Sequence, residues 1–261
     1  MKHEIQVLSV GQVDVPGPEV FWMSEWDQWL PLSINVAVIR GPSVVALINT
    51  GAPEDLSAIN ELWTSSLGER ARYRRTAQQE LLPQLARLGI QPEQVTHVIV
   101  TPFQLYSTAG IPQFSNAQIC LSERGWVHFH TTHAHPHDSR WHSISKEVLT
   151  YLVTTAWDRV RLLKDEDTVV EGIRTWWAGN HHRASIAVEI DTPTGIAVAS
   201  DAFFYYENVE HNRPLGISEN LYEGMACFDR TRRTATHIIP LYDPRVFARY
   251  PGGLVPAIEQ A

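Results

Sequence analysis

A short apolar strand that runs into an uncharged turn constrains this chain more than any other feature. Residues 95–100 are mostly apolar and follow a Gly- and Pro-containing segment, residues 88–94. The next ten residues, 101–110, contain no His, Cys, Asp or Glu. The pattern predicts a buried strand followed by a segment that lacks the side chains proteins normally use to bind transition metals.

Two β-branched runs joined by a tight turn are the clearest secondary-structure signal. Residues 33–40 and 43–48 are rich in Val and Ile, and Gly41-Pro42 separates them, which predicts a β-hairpin. Residues 77–88 place leucines on one helical face and stop before a glycine. They predict a helix that begins near Pro83.

The second half of the chain continues this alternation of strands and helices. Residues 145–155 carry apolar side chains at helical spacing, and Ser218 is predicted to cap the helix that follows it. Residues 185–190 and 195–199 predict two strands paired around a Thr-Pro-Thr-Gly turn. Strand pairs interleaved with helices indicate an α/β or α+β layer protein.

Composition and charge exclude several function classes. The chain has 261 residues, of which 44% are hydrophobic, and no linker divides it, so we expect one domain over residues 1–261. The net charge of -8 and the lack of a basic run argue against nucleic-acid and anionic-membrane partners. Without a signal-peptide core or a membrane-length apolar stretch, we expect a soluble cytoplasmic protein. Cys120 and Cys227 lack metal-ligand spacing and are expected to be core thiols.

Further segments, in order along the chain, make the sequence similar to a known family. They are Glu25-Trp26 with residues 30–32, residues 47–51 with Asn49 in place of the usual Asp, residues 199–202, and residues 239–244. With residues 95–110, they resemble the metallo-β-lactamase superfamily, in particular its N-acyl-homoserine-lactonase-like branch. The resemblance implies an α/β (α+β) fold, a four-layer αββα metallo-β-lactamase-like sandwich with a pocket at one edge of its two sheets.

The resemblance also implies a dinuclear metal site whose ligand positions are replaced in this chain. In the family, the strand runs into Thr-His-x-His-x-Asp-His-x-Gly-Gly, and another histidine lies near the carboxyl terminus. The corresponding positions here are Pro102, Gln104, Tyr106, Ser107 and Tyr242. The family's bridging carboxylate is retained, because Asp201 stands at its position.

The position of the family's third histidine falls within residues 179–183. The sequence does not decide whether Asn180, His181 or His182 occupies it. Every choice leaves at most one imidazole and one carboxylate, whereas a zinc site needs at least three good protein ligands. We therefore expect no metal at the family's dinuclear site and no cofactor. The alternative is one divalent transition metal bound elsewhere.

A histidine-rich segment is the candidate place for such a relocated ion. His128, His130, His133, His135 and His137 lie within ten residues. On an extended segment, alternating imidazoles project to one side and could chelate zinc, nickel or copper. His128 and His130 are then the best ligand pair, with His133 next. The competing interpretation is a polar surface loop or a lid over the pocket.

A pocket without its metal ions could still perform acid/base chemistry. His181 or His182 could act as a general base whose tautomer is fixed by Asp201. Three side chains could donate hydrogen bonds to a developing oxyanion: Tyr106, Tyr242 and Gln104. The competing interpretation is that these residues only fill the space that the metal ions occupy in other members.

Aromatic side chains are expected to line the cleft and bind substrate. The candidates are Trp26, Phe203 and Tyr205, with Ser107 beside them. The predicted function is hydrolase-like, on a small lactone, ester or amide, by metal-free acid/base chemistry or with one relocated metal ion. The alternatives are an inactive pseudoenzyme that binds a small ligand in the old cleft, and a structural role. The expected partner is a small molecule, and the chain could also form a homodimer.

Overall fold

The computed structural model describes residues 1–131 and 140–255 of the chain, which form twelve strands and ten α-helices. The strands are β1 (Glu4–Pro16), β2 (Trp29–Gly41), β3 (Val44–Ile48), β4 (His97–Ile99), β5 (Gln118–Ser122), β6 (Val160–Leu163), β7 (Glu166–Val170), β8 (Ile173–Trp177), β9 (Ile186–Thr192), β10 (Gly195–Ser200), β11 (His237–Pro240) and β12 (Leu254–Val255). The helices are α1 (Gly17–Val20), α2 (Ser57–Leu67), α3 (Leu81–Arg87), α4 (Leu105–Thr108), α5 (Glu123–His130), α6 (Arg140–Ser143), α7 (Lys146–Val153), α8 (Tyr206–Glu210), α9 (Leu221–Thr234) and α10 (Val246–Arg249).

The strands form two sheets, one of seven strands and one of five. The order is β12-β1-β2-β3-β4-β5-β6 in the larger sheet and β11-β10-β9-β8-β7 in the smaller. The predicted hairpin is confirmed, since β2 pairs antiparallel with β3. β3, β4, β5 and β6 are parallel neighbours, so their carboxyl ends meet at one edge of the larger sheet.

Helices cover the outer faces of the two sheets. α3 packs on β1, α5 packs on β5 and β6, and α9 packs on β10. The side chains of residues 36–39 in β2 and 197–199 in β10 are completely buried, because these strands are covered on both faces. Buried side chains of both sheets belong to one continuous hydrophobic core. The predicted four-layer αββα sandwich is confirmed.

The helix predicted at residues 77–88 is interrupted. Ala77–Gln79 forms a short 3-10 turn, Glu80 is extended, and α3 runs from Leu81 to Arg87. Pro83 lies in the first turn of α3, where its missing N–H costs no intrahelical hydrogen bond. A helix continuing from Ala77 would lose that bond, so the prediction that the helix starts near Pro83 is confirmed.

The predicted cap of α9 is wrong. Asn220 is the N-cap residue, and its Oδ1 accepts from the backbone N–H groups of Tyr222 and Glu223. The Ser218 hydroxyl instead donates to Oδ1 of Asn180 at 2.6 Å. Both Ser and Asn cap helices well, and the chain uses the one next to the first helical residue.

The extended histidine segment predicted around His128 and His130 is also wrong, because both residues lie in α5. Ser122 caps this helix, since its hydroxyl accepts from the backbone N–H of Gly125. Residues two apart on an α-helix point to nearly opposite sides, so these imidazoles do not face the same ion. His130 Nδ1 lies 2.8 Å from the carbonyl oxygen of Trp126. His133 and the two histidines after it lie outside the described residues.

Both cysteines are buried thiols, as predicted for Cys120 and Cys227. Burial raises the pKa of each thiol to about 12, so neither is a thiolate near neutral pH. In the part of the chain that the structure describes, no helix is long and apolar enough to cross a membrane.

Candidate functional site

The ends of three strands place polar side chains at the junction of the two sheets. Asn49 and Thr101 follow β3 and β4 in the larger sheet, and Asp201 follows β10 in the smaller sheet. All three side chains are buried, and Asp201 is completely excluded from solvent. The junction is therefore a dry polar centre between two apolar sheets.

Three side chains donate hydrogen bonds to the Asp201 carboxylate. The Thr101 hydroxyl donates to Oδ1, and the Ser185 hydroxyl donates to Oδ2 at 2.5 Å. His181 Nδ1 lies 2.9 Å from the same Oδ2 atom. A proton on Nδ1 fits this contact, because a carboxylate oxygen is an acceptor. The contact fixes the imidazole so that its Nε2 atom is the available base.

The structure distinguishes the three residues that the sequence left open. Asn180 is in the left-handed conformation, with φ of 65°, and its side chain bonds to Ser218 and to the carbonyl oxygen of Ala202. His182 is half-buried, with its Nε2 atom 3.3 Å from Nε2 of Gln104. His181 is therefore the imidazole that contacts Asp201.

Long-range contacts hold the loop that carries His181. Glu223 on α9 accepts a hydrogen bond from the backbone N–H of Asn180 and another from the Arg183 guanidinium. The indole N–H of Trp177 donates to the Arg183 carbonyl oxygen at 2.8 Å. The loop is thus fixed from α9 on one side and from β8 on the other, which limits the orientations open to His181.

Two phenols lie beside the imidazole. The hydroxyls of Tyr106 and Tyr242 are 3.4 Å apart, and their rings meet edge to face with centroids 6.0 Å apart. The Tyr242 ring centroid is 6.1 Å from that of His181. Burial raises the pKa of both phenols well above the ordinary value of 10. Both are therefore neutral hydrogen-bond donors over the physiological pH range.

The predicted substrate-binding residues differ in their surroundings. Trp26 is 66% exposed in the turn before β2, and Phe203 is fully buried. The Tyr205 hydroxyl donates to the carbonyl oxygen of Pro31 at 2.6 Å. Ser107 has a buried hydroxyl with no hydrogen-bond partner among the described residues. Its carbonyl oxygen accepts from the Thr50 hydroxyl.

Two residues that contact the Asp201 carboxylate, Thr101 and Ser185, are not among the site residues predicted from the sequence. The Phe204 ring meets the His181 ring edge to face, with centroids 4.8 Å apart. Thr101 and Ser185 stand at the boundaries of predicted strands, as Asp201 does, and this shared position is the signal that could have revealed them.

These donors do not fit the dinuclear metal centre that the resemblance implies. Two neutral phenols, an amide and one hydroxyl are poor ligands for divalent transition metals. The one carboxylate is already hydrogen-bonded to three side chains. Within residues 1–131 and 140–255, no group of three or more His, Cys, Asp or Glu side chains is placed to hold a metal ion.

The space beside the imidazole pair is small. A cavity next to His182 has a volume of about 20 Å³, and Phe103, Phe129 and Ser143 are among its lining residues. This volume is enough for about one water molecule. The described residues therefore leave little free volume beside His182.

Solved structures share this fold over nearly the whole chain. An N-acyl homoserine lactone hydrolase, with its product bound at a catalytic metal centre, superposes with a TM-score of 0.79 at 15% identity and covers 96% of this chain and 97% of its own. A probable metal-dependent hydrolase from Staphylococcus aureus gives 0.68 at 15% identity, covering 88% and 83%. The hydrolase AbOPH of the β-lactamase superfamily gives 0.66 at 16% identity, covering 97% and 89%.

No protein-family model and no curated protein matches the sequence. The structural similarity nevertheless shows the fold, which is that of the metallo-β-lactamases. Within that fold, it is similar to lactonase structures along almost its full length. The fold that the sequence resemblance implied is confirmed.

Proposed function

We propose that this chain is a hydrolase-like protein that acts on a small lactone, ester or amide by acid/base chemistry without metal ions. The observation that carries the proposal is the contact between His181 and Asp201 beside two neutral phenols. An imidazole bonded through Nδ1 to a buried carboxylate is the arrangement that acyl-transfer enzymes use to orient a base. No cofactor is part of the proposal.

In this proposal, His181 activates a water molecule. Because Nδ1 contacts Asp201, Nε2 is the nitrogen that removes a proton from water as the water oxygen attacks the carbonyl carbon. Asp201 stabilises the imidazolium that forms. When the tetrahedral intermediate collapses, the bond to the leaving group breaks and Nε2 returns the proton to that group. Each turnover adds one water molecule and restores the neutral imidazole.

The phenols supply the electrophilic part of the site. Tyr242 and Tyr106 remain protonated because burial raises their pKa. A neutral phenol in a dry site can donate a hydrogen bond to the oxyanion as negative charge develops on it. Gln104, which contacts His182, is placed to orient the second imidazole. These donors take the role that a Lewis-acidic metal ion has in other hydrolases.

The proposed substrate class follows from the surroundings of the imidazole. The rings of Phe204, Tyr242 and Tyr106 form an apolar and neutral environment, which favours an uncharged acyl group over an anion. The same fold in an N-acyl homoserine lactone hydrolase supports the choice of lactones and esters as first substrates.

A hydrolysis screen tests the proposal. Protein purified without a histidine tag is assayed on lactones and esters with and without a chelator, and its metal content is measured. The expected result is chelator-resistant turnover at less than one equivalent of metal, abolished by His181→Ala. Turnover that needs added zinc, or that survives His181→Ala, would overturn it.

The second candidate is a pseudoenzyme that binds a small molecule without turnover. It is favoured by the closed packing around His181, whose side chain is only 3% exposed, and by the small cavity next to His182. The expected result for this function is no hydrolysis in the screen, together with saturable quenching of tryptophan fluorescence by a neutral acyl compound.

A further inference from the structure

We infer that the hydrogen-bonded centre around Asp201 fastens the two sheets together and takes over the structural role of a metal pair. The inference concerns stability and is independent of the proposed catalysis. Asp201 ends a strand of the smaller sheet, whereas Thr101 ends a strand of the larger sheet. Their hydrogen bond therefore crosses the junction between the two sheets.

Two hydroxyl groups connect the backbone to the carboxylate in the same way. The Thr101 hydroxyl accepts from the backbone N–H of Ile186 at 2.9 Å and donates to Oδ1 of Asp201. The Ser185 hydroxyl accepts from the backbone N–H of His182 at 3.1 Å and donates to Oδ2 of Asp201. Each hydroxyl thus satisfies one backbone donor and one carboxylate oxygen, so the buried charge is bonded on both oxygens.

Asn49 extends this centre to a third strand end. Its Nδ2 donates to the Thr101 carbonyl oxygen at 2.6 Å, and its Oδ1 accepts from the Thr101 backbone N–H at 2.8 Å. A carboxylate at this position could accept but not donate, because an ionised Asp has no proton to give. The Asn in place of the family's Asp therefore fits a centre that is built from hydrogen bonds.

Hydrogen-bond donors compensate the buried Asp201 carboxylate in this centre, in place of metal ions. A buried carboxylate without partners is strongly unfavourable, and either metal ions or hydrogen-bond donors can compensate for its desolvation. Here Thr101, Ser185 and His181 provide that compensation. Stability should therefore depend on these side chains and should be independent of metal ions.

The chain contains a matched control for each hydroxyl. Thr175 on β8 is buried like Thr101, but its hydroxyl has no partner among the described residues. Ser107 is buried like Ser185, and its hydroxyl is also without a partner there. Removing a bonded hydroxyl leaves buried groups unsatisfied, whereas removing an unbonded hydroxyl is nearly neutral or stabilising.

Thermal unfolding of the full chain, measured without substrate, tests the inference. Thr101→Val and Ser185→Ala are expected to lower Tm by about 4–10 °C each, whereas Thr175→Val and Ser107→Ala change it by about 2 °C or less. Neither a chelator nor added zinc is expected to shift the Tm of the unmodified protein by more than about 1 °C. Equal effects of Thr101→Val and Thr175→Val would overturn the inference, as would a zinc-dependent rise of several degrees.

A double-mutant comparison of Thr101 and Asp201 distinguishes loss of their hydrogen bond from a general loss of stability. In an Asp201→Asn background, Thr101→Val is expected to lower Tm by less than half of its effect in the unmodified protein, because its acceptor has changed. If Asp201→Asn does not fold, Ser185→Ala serves as the background instead. Full additivity would contradict the inference. Since no step requires turnover, failure of this test and failure of the proposed function are distinguishable.

Discussion

Asp201 is fully buried and Glu19 is half-buried, and their carboxyl groups have opposite surroundings. Asp201 accepts hydrogen bonds from three side chains at the junction of the sheets. The Glu19 carboxyl in α1 has no hydrogen-bond donor among the described residues, and burial raises its pKa to about 7. Its backbone carbonyl accepts from Gly216 and Ile217, whose segment therefore packs against α1.

Asp201 and Glu19 differ in their hydrogen-bond donors. This difference, rather than burial alone, decides whether the carboxylate can orient a neighbouring side chain. Where side chains donate to it, a buried carboxylate can orient a neighbouring imidazole, as Asp201 does for His181. Where nothing donates to it, the carboxyl group takes up a proton near neutral pH, as Glu19 does. The fold places three donors at one of these positions and none at the other.

The largest expected effect comes from Asp201→Asn. An amide in place of the carboxylate disturbs the proton on Nδ1 of His181 and removes the stabilisation of the imidazolium. We expect kcat/KM on a substrate found by the screen to fall by about 10³-fold or more. Glu19→Gln makes the same chemical change at the other carboxyl and should leave kcat/KM within about twofold. Similar losses for both variants would show that the Asp201 carboxylate has no special role in turnover.

Tyr242→Phe tests the phenol that lies beside the imidazole. Loss of one oxyanion donor is expected to lower kcat by about 10²-fold with a smaller change in KM. Tyr222 is 85% exposed on α9, so Tyr222→Phe is the matched control and should have no effect. A change confined to KM would show that Tyr242 contributes to binding rather than to stabilisation of the transition state.

The pH dependence of stability tests the protonation of Glu19. Its folded-state pKa of about 7 lies above the ordinary value of 4.5, so the folded state prefers the protonated form. The protonated Glu19 carboxyl group contributes fully to stability below pH 4.5. This contribution decreases as the pH rises towards 7 and is lost above pH 7. Glu19→Gln should therefore raise the free energy of unfolding at pH 8, by on the order of 2–3 kcal/mol, and change it little at pH 4. Denaturant titrations at both pH values measure this, and an equal gain at both would contradict it.

The smallest effect is expected for His130→Ala in α5. This imidazole contacts the carbonyl oxygen of Trp126 and lies in a helix on which His128 points elsewhere. Turnover should stay within about twofold and Tm within about 1 °C. Loss of one equivalent of bound metal from this variant would instead support the relocated ion.

Much of the fold could be predicted because its signals are local. The hairpin of β2 and β3 and the start of α3 near Pro83 follow from β-branched runs and from the chemistry of proline. The cap of α9 could not be decided in the same way, since Ser218 and Asn220 have similar capping preferences. The helix over residues 128–130 could not be predicted from the alternating histidines, because its capping signal, Ser122, lies outside that pattern.

The candidate site was predictable in its residue types but not in its contacts. Asp201, Tyr106 and Tyr242 were selected from their positions in order along the chain, and the structure places the two hydroxyls 3.4 Å apart. Trp26 and Tyr205 were selected by the same reasoning, yet one is exposed and the other is bonded to Pro31. Position in sequence does not show which way an aromatic ring points.

The sequence alone predicts the β2–β3 hairpin, the start of α3 near Pro83 and the neutral side chains at the family's ligand positions. These follow from residue type and spacing, which need no knowledge of distant contacts. The contact of Asp201 with His181, rather than with Asn180 or His182, is visible only in the folded structure. The physical reason is that the loop direction depends on a left-handed residue and on hydrogen bonds to Glu223, which lies about forty residues further along the chain.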